Sequence, residues 1–317
     1  MNAILAIGAF VLGVLIVIWS TERLLEGMVG LAVLLRMAPF VIAGIFSGLE
    51  AENVAVGVVA ARQGHVEIAL GTVFGGGTFV VCVALGLGAV LFPLKVTLPR
   101  GILLLLAAAP VLAGVALIGG TTSRIAGVVL LVAFAASMWY LVRASKDHDF
   151  LGTEADEILE AAANPVRWWK PVALTLFGLA VITVGAELVN YGAASIIRQF
   201  AFPAALMGMI ITPAAIEAEE VIRQAVPAKQ GRHDVAAGNL IGTLLYFVLF
   251  NLGLIALTVP VPVPHRVVVL DWPFLIGATW LATAFVWRGR LTRIQGAALL
   301  AVYGAYIAAT VLIGQPD

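Results

Sequence analysis

Five glutamates stand inside apolar sequence in two short clusters. Glu50 and Glu52 lie in Gly48-Leu49-Glu50-Ala51-Glu52-Asn53, and Glu217, Glu219 and Glu220 in Ala215-Ile216-Glu217-Ala218-Glu219-Glu220. The nine residues before Glu50 and before Glu217 contain no Lys or Arg. A carboxylate at the centre of a bilayer costs roughly 2.5–3.5 kcal/mol on insertion scales, so such a group is kept there for a cation, a proton or a water-lined path. Positions i and i+3 share a helix face, which pairs Glu50 with Asn53 and Glu217 with Glu220. Glu52 and Glu219 sit about 100° from that face in each segment. Oxygens of this kind suit hard cations such as Na⁺ and Ca²⁺. Arg223 follows Glu220 closely enough to partner one of the five acids. The competing explanation is structural: buried acids that cap broken helices or pair with one another in protonated form.

The surroundings add further ligand candidates. Ser47-Gly48, Thr212-Pro213 and the run Gly75-Gly76-Gly77 are helix breakers that would free backbone carbonyls. Thr72 and Gly76 in one half face Asn239 and Thr243 in the other as counterparts. The two clusters head a repeat: a shift of 167 positions superimposes residues 48–93 on 215–260 without a gap, with 17 of 46 positions identical. Glu50 falls on Glu217, Glu52 on Glu219, Gly75 on Gly242 and Pro93 on Pro260. Repetition at this level in so biased a composition marks an internal duplication.

The elements that must carry these residues are membrane helices. Of 317 residues, 62% are hydrophobic and 11% charged, with mean hydropathy +1.07; soluble domains carry about 25% charged residues. Zero net charge offers no basic surface for nucleic acid, so the expected partners are small cations and the lipid bilayer. The one cysteine, Cys82, can form no intrachain disulfide and reads as a small core residue. No Lys or Arg precedes Arg23, so a signal peptide is not the pattern and Met1 to Trp19 begins a first span. Runs of about 20 apolar residues predict ten spans: 3–25, 38–61, 67–92, 101–119, 123–143, 171–191, 203–226, 234–259, 267–287 and 293–314.

Residues 1–143 and 171–317 then form two five-span halves joined by a polar linker, 144–170, whose acids include Asp147, Glu154 and Glu160. Fourteen of the eighteen Lys and Arg fall in odd-numbered connections. The positive-inside rule therefore places those connections in the cytoplasm and both termini outside a cell membrane crossed many times. An odd number of spans per half inverts the second half relative to the first, the pattern of a secondary transporter. Glu22 and Glu187 correspond near the ends of the first and sixth spans, where they could line an access route. Motifs for a metalloprotease, a serine hydrolase or a P-loop nucleotide site are missing, so neither an enzyme nor a bound cofactor is expected; the cargo is Ca²⁺, Na⁺ or H⁺.

On these residues the chain resembles the cation/Ca²⁺ antiporter superfamily, the sodium/calcium exchanger group in particular, across both repeats and the first and sixth spans. That resemblance implies an all-α membrane fold of ten helices in two inverted five-helix repeats, each repeat bearing G-T-S-L-P-E and then G-N-x-x-G-S. Gly238-Asn239-Leu240-Ile241-Gly242-Thr243 is close to the second element, and Gly71-Thr72-Val73-Phe74-Gly75-Gly76 is a looser version. The family's cation-binding Glu falls on Asn53 and Glu220, its Ser on Glu50 and Glu217, and its Pro on Glu52 and Glu219. Its Thr falls on Leu49 and Ile216, its later Ser on Gly76 and Thr243, and a further Asn or Asp on Val80 and Phe247. Neutral ligands have thus been lost and acids gained, and acids this close cannot all stay ionised in an empty site. The resulting expectation is Ca²⁺ exchanged for Na⁺ by alternating access, with Glu50, Asn53, Glu217 and Glu220 as metal ligands. Ca²⁺/H⁺ or another cation/H⁺ exchange is the alternative, and a passive pore or a non-transporting scaffold are the rivals from other classes.

Overall fold

The computed structural model describes residues 3–35, 49–144, 167, 169–231 and 233–313. Its helices are α1 (Ala3–Leu34), α2 (Ala51–Arg62), α3 (Val66–Leu91), α4 (Arg100–Leu117), α5 (Arg124–Ala144), α6 (Trp169–Phe200), α7 (204–229), α8 (233–258), α9 (Val267–Trp287) and α10 (Arg293–Ile313). No strand occurs among the described residues. Eight of the helices, all but α2 and α7, are long and apolar enough to cross a membrane. The expected second span begins in residues outside the described set, as does most of the 144–170 linker.

Burial separates an inner pair from an outer shell. The apolar window of α3 is 94% buried and that of α8 is 78% buried, against 28–44% for the other six spans. The outer helices present Leu15, Leu104, Val132, Leu176 and Leu312 outward, as a surface in hydrocarbon should.

Two helices exceed the expectation. The first and sixth spans were expected to end at 25 and 191; α1 and α6 each run for 32 residues. Polar residues in mid-run set the expected ends too early, because the Thr21 hydroxyl finds partners within 3.0 Å, Val17 O on its own helix and Glu52 on α2, and leaves the helix intact. Glu22 and Glu187 consequently sit in mid-helix rather than at span ends. The two helices pack antiparallel along their length on small residues. A Cβ on Gly13 would lie 2.6 Å from Val189 N, and one on Gly178 would lie 2.8 Å from Leu24 Cα. The shift of 165 that aligns α1 with α6 carries Gly13 onto Gly178 and Leu24 onto Val189. The same contact is therefore made twice about an internal two-fold relation. Close backbone approach of this kind is how helices associate where lipid is as apolar as leucine.

The connectors repeat that relation. Leu94 N donates to Leu291 O at 3.0 Å and Leu291 N to Leu94 O at 2.8 Å. Thr122 N donates to Val261 O and Val263 N to Gly120 O, both at 2.8 Å. One pair of bridges lies where α3 ends and α10 begins, the other where α8 ends and α5 begins.

Of the expected helix breaks, Ser47-Gly48 lies outside the described residues, and one of the others differs from expectation. The Gly75-Gly76-Gly77 run does not interrupt α3; the helix continues to Phe79 and widens into a π turn over Val80–Ala84. These glycines are occupied by close packing instead: a Cβ on Gly76 would meet the Phe247 ring at 2.6 Å, and one on Gly75 would run into Met209 O. The carbonyl of Gly76 already accepts from Val80 N. In α7 a π turn, Met207–Ile211, directly precedes Thr212-Pro213 and absorbs the missing proline N–H. A 3-10 turn follows over Glu217–Glu219.

Candidate functional site

Both acidic clusters lie at backbone discontinuities. Glu50 stands at the N-terminal boundary of α2 with non-helical φ −95° and ψ 62°, its carboxylate making no capping bond. Glu217 ends one helical stretch of α7 and opens its 3-10 turn. A 3-10 turn has three residues per turn, so Glu217 and Glu220 project to the same side. The spacing argument therefore holds for that pair by a tighter geometry than an α-helix would supply.

Asn53 joins the two halves. Its Nδ2 donates to Glu50 Oε2 at 3.3 Å and to Glu217 Oε1 at 2.5 Å. Glu50 and Asn53 are wholly buried and Glu217 is 1% exposed. Three oxygens of this bridge, Glu50 Oε1, Asn53 Oδ1 and Glu217 Oε2, are buried without a hydrogen-bond partner. Removing carboxylates from water costs several kcal/mol each, and buried acceptors are normally satisfied. The bridge is thus a knot of unsatisfied oxygens, two carboxylates held together by one amide.

Around the bridge the other acids divide. Glu220 is buried but accepts from Arg223 at 2.9 Å and from Asn239 Nδ2 at 3.2 Å. Glu219 turns outward and pairs with the same arginine at 2.9 Å, with 31% of its side chain exposed. Gln224 donates to Ala236 O at 2.9 Å and accepts from Asn239 at 3.2 Å, completing that side. Glu52 points the other way and accepts from Thr21 on α1 at 3.0 Å. Glu217, Glu52, Glu220 and Arg223 all lie within electrostatic reach of Glu50, as does Tyr246 on α8.

The remaining expected ligands are placed as follows. Thr72 donates to Ala69 O at 2.9 Å and lies against Gly57 of α2. Thr243 is wholly buried, its hydroxyl without a partner, as is Thr212, five residues before Glu217. Gly76 lies under Phe247. Among the described residues no three His, Cys, Asp or Glu side chains converge as a metal-binding group; the bridge supplies two carboxylates and an amide.

Sequence reasoning missed two residues that position the site. Thr21 holds Glu52, and Asn190 ties α6 to α2 by donating to Val56 O at 3.2 Å; no spacing rule links residues so far apart. Away from the bridge it also missed Asp271, wholly buried, bonded to Arg266 at 3.0 Å and to Tyr306 at 2.8 Å. An aspartate five residues into the 267–287 run was a visible signal for it.

Facing carboxylates at interrupted helices, enclosed by two helix sets related by an internal two-fold, define a membrane ion carrier. The chain belongs to the sodium/calcium exchanger protein family, whose profile it matches over residues 5–143 and 170–312. It is 26% identical over 294 residues to inner membrane protein YrbG of Escherichia coli (strain K12), covering 90% of each chain. It is also 26% identical over 306 residues to the putative antiporter CaxA of Alkalimonas amylolytica, covering 93% of this chain and 95% of that one. In fold it is similar to the sodium-calcium exchanger NCX_Mj soaked with 2.5 mM Na⁺ and 0.1 mM Ca²⁺. The TM-score is 0.58 at 21% identity, with 96% of this chain and 98% of that chain covered. The same exchanger without Na⁺ and Ca²⁺ gives a TM-score of 0.55 at 20% identity. This is a membrane cation antiporter, a transporter rather than an enzyme.

Proposed function

We propose that the protein exchanges Ca²⁺ for Na⁺ by alternating access, at a site midway through the membrane built on Glu50, Asn53 and Glu217. The observation that carries this reading is the Asn53 bridge, with its three unsatisfied buried oxygens donated by both halves. Two carboxylates balance one divalent ion, and the amide oxygen of Asn53, the Thr212 and Thr243 hydroxyls and backbone carbonyls at the α7 break are neutral ligands of the hard type. Thr72, Gly76 and Asn239 line the approach from α3 and α8. Glu220 and Glu219 share Arg223 and act as the exchangeable edge of the site, while Glu52 anchors α2 to α1.

In this reading ten segments cross the cell membrane as inverted halves, 1–143 and 171–317, with the 144–170 linker in the cytoplasm and both termini outside. The doubled α1/α6 contact and the doubled connector bridges support the inversion. The α1/α6 pair slides as a unit past the rest and exposes the site to each side in turn.

Proton coupling is the second reading, and Arg223 favours it. With Glu220 occupied by a fixed cation, the bridge must hold Glu50 and Glu217 side by side when no ion is bound, and sharing a proton relieves that repulsion. Uptake of ⁴⁵Ca²⁺ into proteoliposomes decides between them. An outward Na⁺ gradient is expected to drive accumulation at clamped pH. Accumulation driven only by an outward H⁺ gradient selects the second reading, and equilibration without any counter-ion overturns both in favour of a pore.

A further inference from the structure

Away from the exchange site, one face of the molecule gathers positive charge with no ion-paired acid beside it among the described residues. The connectors 92–99 and 288–292 are zipped together by the Leu94–Leu291 bridge and by Val96 N donating to Gly289 O at 3.2 Å. This ribbon brings together Lys95, Arg100, Arg288, Arg290 and Arg293, all exposed. The sequence holds no Asp or Glu between Glu67 and Asp147, nor between Asp271 and Asp317. Among the described residues none of the five forms an ion pair. Both α4 and α10 also begin here, the latter behind a Thr292–Gln295 capping box, so two positive helix ends point the same way.

Beneath the ribbon, on the outer flank between α4 and α9, lies a groove of about 410 Å³ lined by Ala107, Trp280, Thr283, Ala284, Trp287 and Arg288. Its α9 residues fall at i, i+3, i+4 and i+7, a single stripe down the helix. The stripe descends from Arg288 to Trp280, about 12 Å. Trp280 is fixed by donating to Ala107 O at 2.9 Å. Thr283 is only 6% exposed, and its hydroxyl lacks a partner although it lines the groove.

We propose that this face is a binding site for an anionic phospholipid: the phosphate rests on Arg288, Arg290 and Lys95, and one acyl chain lies down the Trp287–Trp280 stripe. General attraction of acidic lipid would need the charges alone. A groove that starts at the charges and runs along the lipid-facing flank fits one molecule with a phosphate at one end and a hydrocarbon chain at the other. The inference rests on the chain spanning a bilayer and is independent of which cations it exchanges.

The test uses the full-length protein in phosphatidylcholine vesicles carrying either brominated phosphatidylglycerol or brominated phosphatidylcholine, read by quenching of tryptophan fluorescence. A several-fold stronger quench by the phosphatidylglycerol is expected. A basic residue near an anionic surface is worth ~1 kcal/mol, which is about fivefold in relative affinity, so Arg288→Gln/Arg290→Gln should bring the two lipids close to parity. In Trp280→Phe/Trp287→Phe, which leaves the charges in place, the lipid-selective part of the quench should vanish while phosphatidylglycerol still co-purifies in excess. Soluble glycerol 3-phosphate should not compete. Equal quenching by both lipids in the unaltered protein, a preference that survives the Arg substitutions, or competition by glycerol 3-phosphate would overturn the proposal.

Discussion

At the scale of residues, the site turns on one amide between two acids. The symmetry of the repeat made Glu50 and Glu217 legible, since a pair of intramembrane carboxylates recurring at equivalent positions has few uses besides holding cations. Their linkage through Asn53 was not legible, because it joins residues 164 positions apart. The arginine was legible as a neighbour but not as the shared partner of both Glu219 and Glu220. That sharing makes a prediction. Arg223→Gln removes a fixed positive charge from the edge of the site, and the half-saturating Ca²⁺ concentration for uptake should fall about tenfold, an effect of ~1.4 kcal/mol. A titration of initial uptake rate against Ca²⁺ checks this; an unchanged value would mean that the arginine only closes the surface of α7.

At the scale of elements, helices were legible wherever apolar runs were long, and their ends were misread wherever polar residues were absorbed inside. Thr21 and Glu22 mark no end of α1, because the hydroxyl folds back on its own helix and the acid lies exposed on the flank. The triple glycine of α3 marks no break, because each of those residues has a neighbour in the space a side chain would fill. The break at Thr212-Pro213 was legible from its proline, whereas the π turns of α3 and α8 fall in Val- and Phe-rich segments that no propensity scale singles out. The two-fold relation predicts paired effects. Gly13→Val and Gly178→Val each drive a branched side chain into the backbone of the partner helix. Overpacking of this kind costs roughly 1–3 kcal/mol. Both variants should unfold at lower temperature than the parent in detergent, by similar amounts, and both should slow exchange if α1 and α6 move as one body. A large shift for one and none for the other would show that the two contacts are not equivalent.

At the scale of the whole molecule, the duplication and the distribution of Lys and Arg together predict an orientation. The ribbon bearing Lys95 and Arg288 is expected to face the cytoplasm and the Gly119-Gly120-Thr121 turn the outside. Cys82 is buried, so the parent chain provides a quiet background for labelling. An impermeant maleimide applied from outside should modify Thr121→Cys and leave Thr97→Cys untouched until the membrane is opened. The reverse pattern would turn the molecule over. The account as a whole rests on Glu217 serving as a cation ligand shared between halves through Asn53, and its most direct test is gradient-driven ⁴⁵Ca²⁺ uptake by Glu217→Gln in proteoliposomes. With the variant inserted at parental density, uptake is predicted to fall at least about tenfold, ~1.4 kcal/mol or more. Uptake at the parental rate and with parental Ca²⁺ dependence would contradict the account.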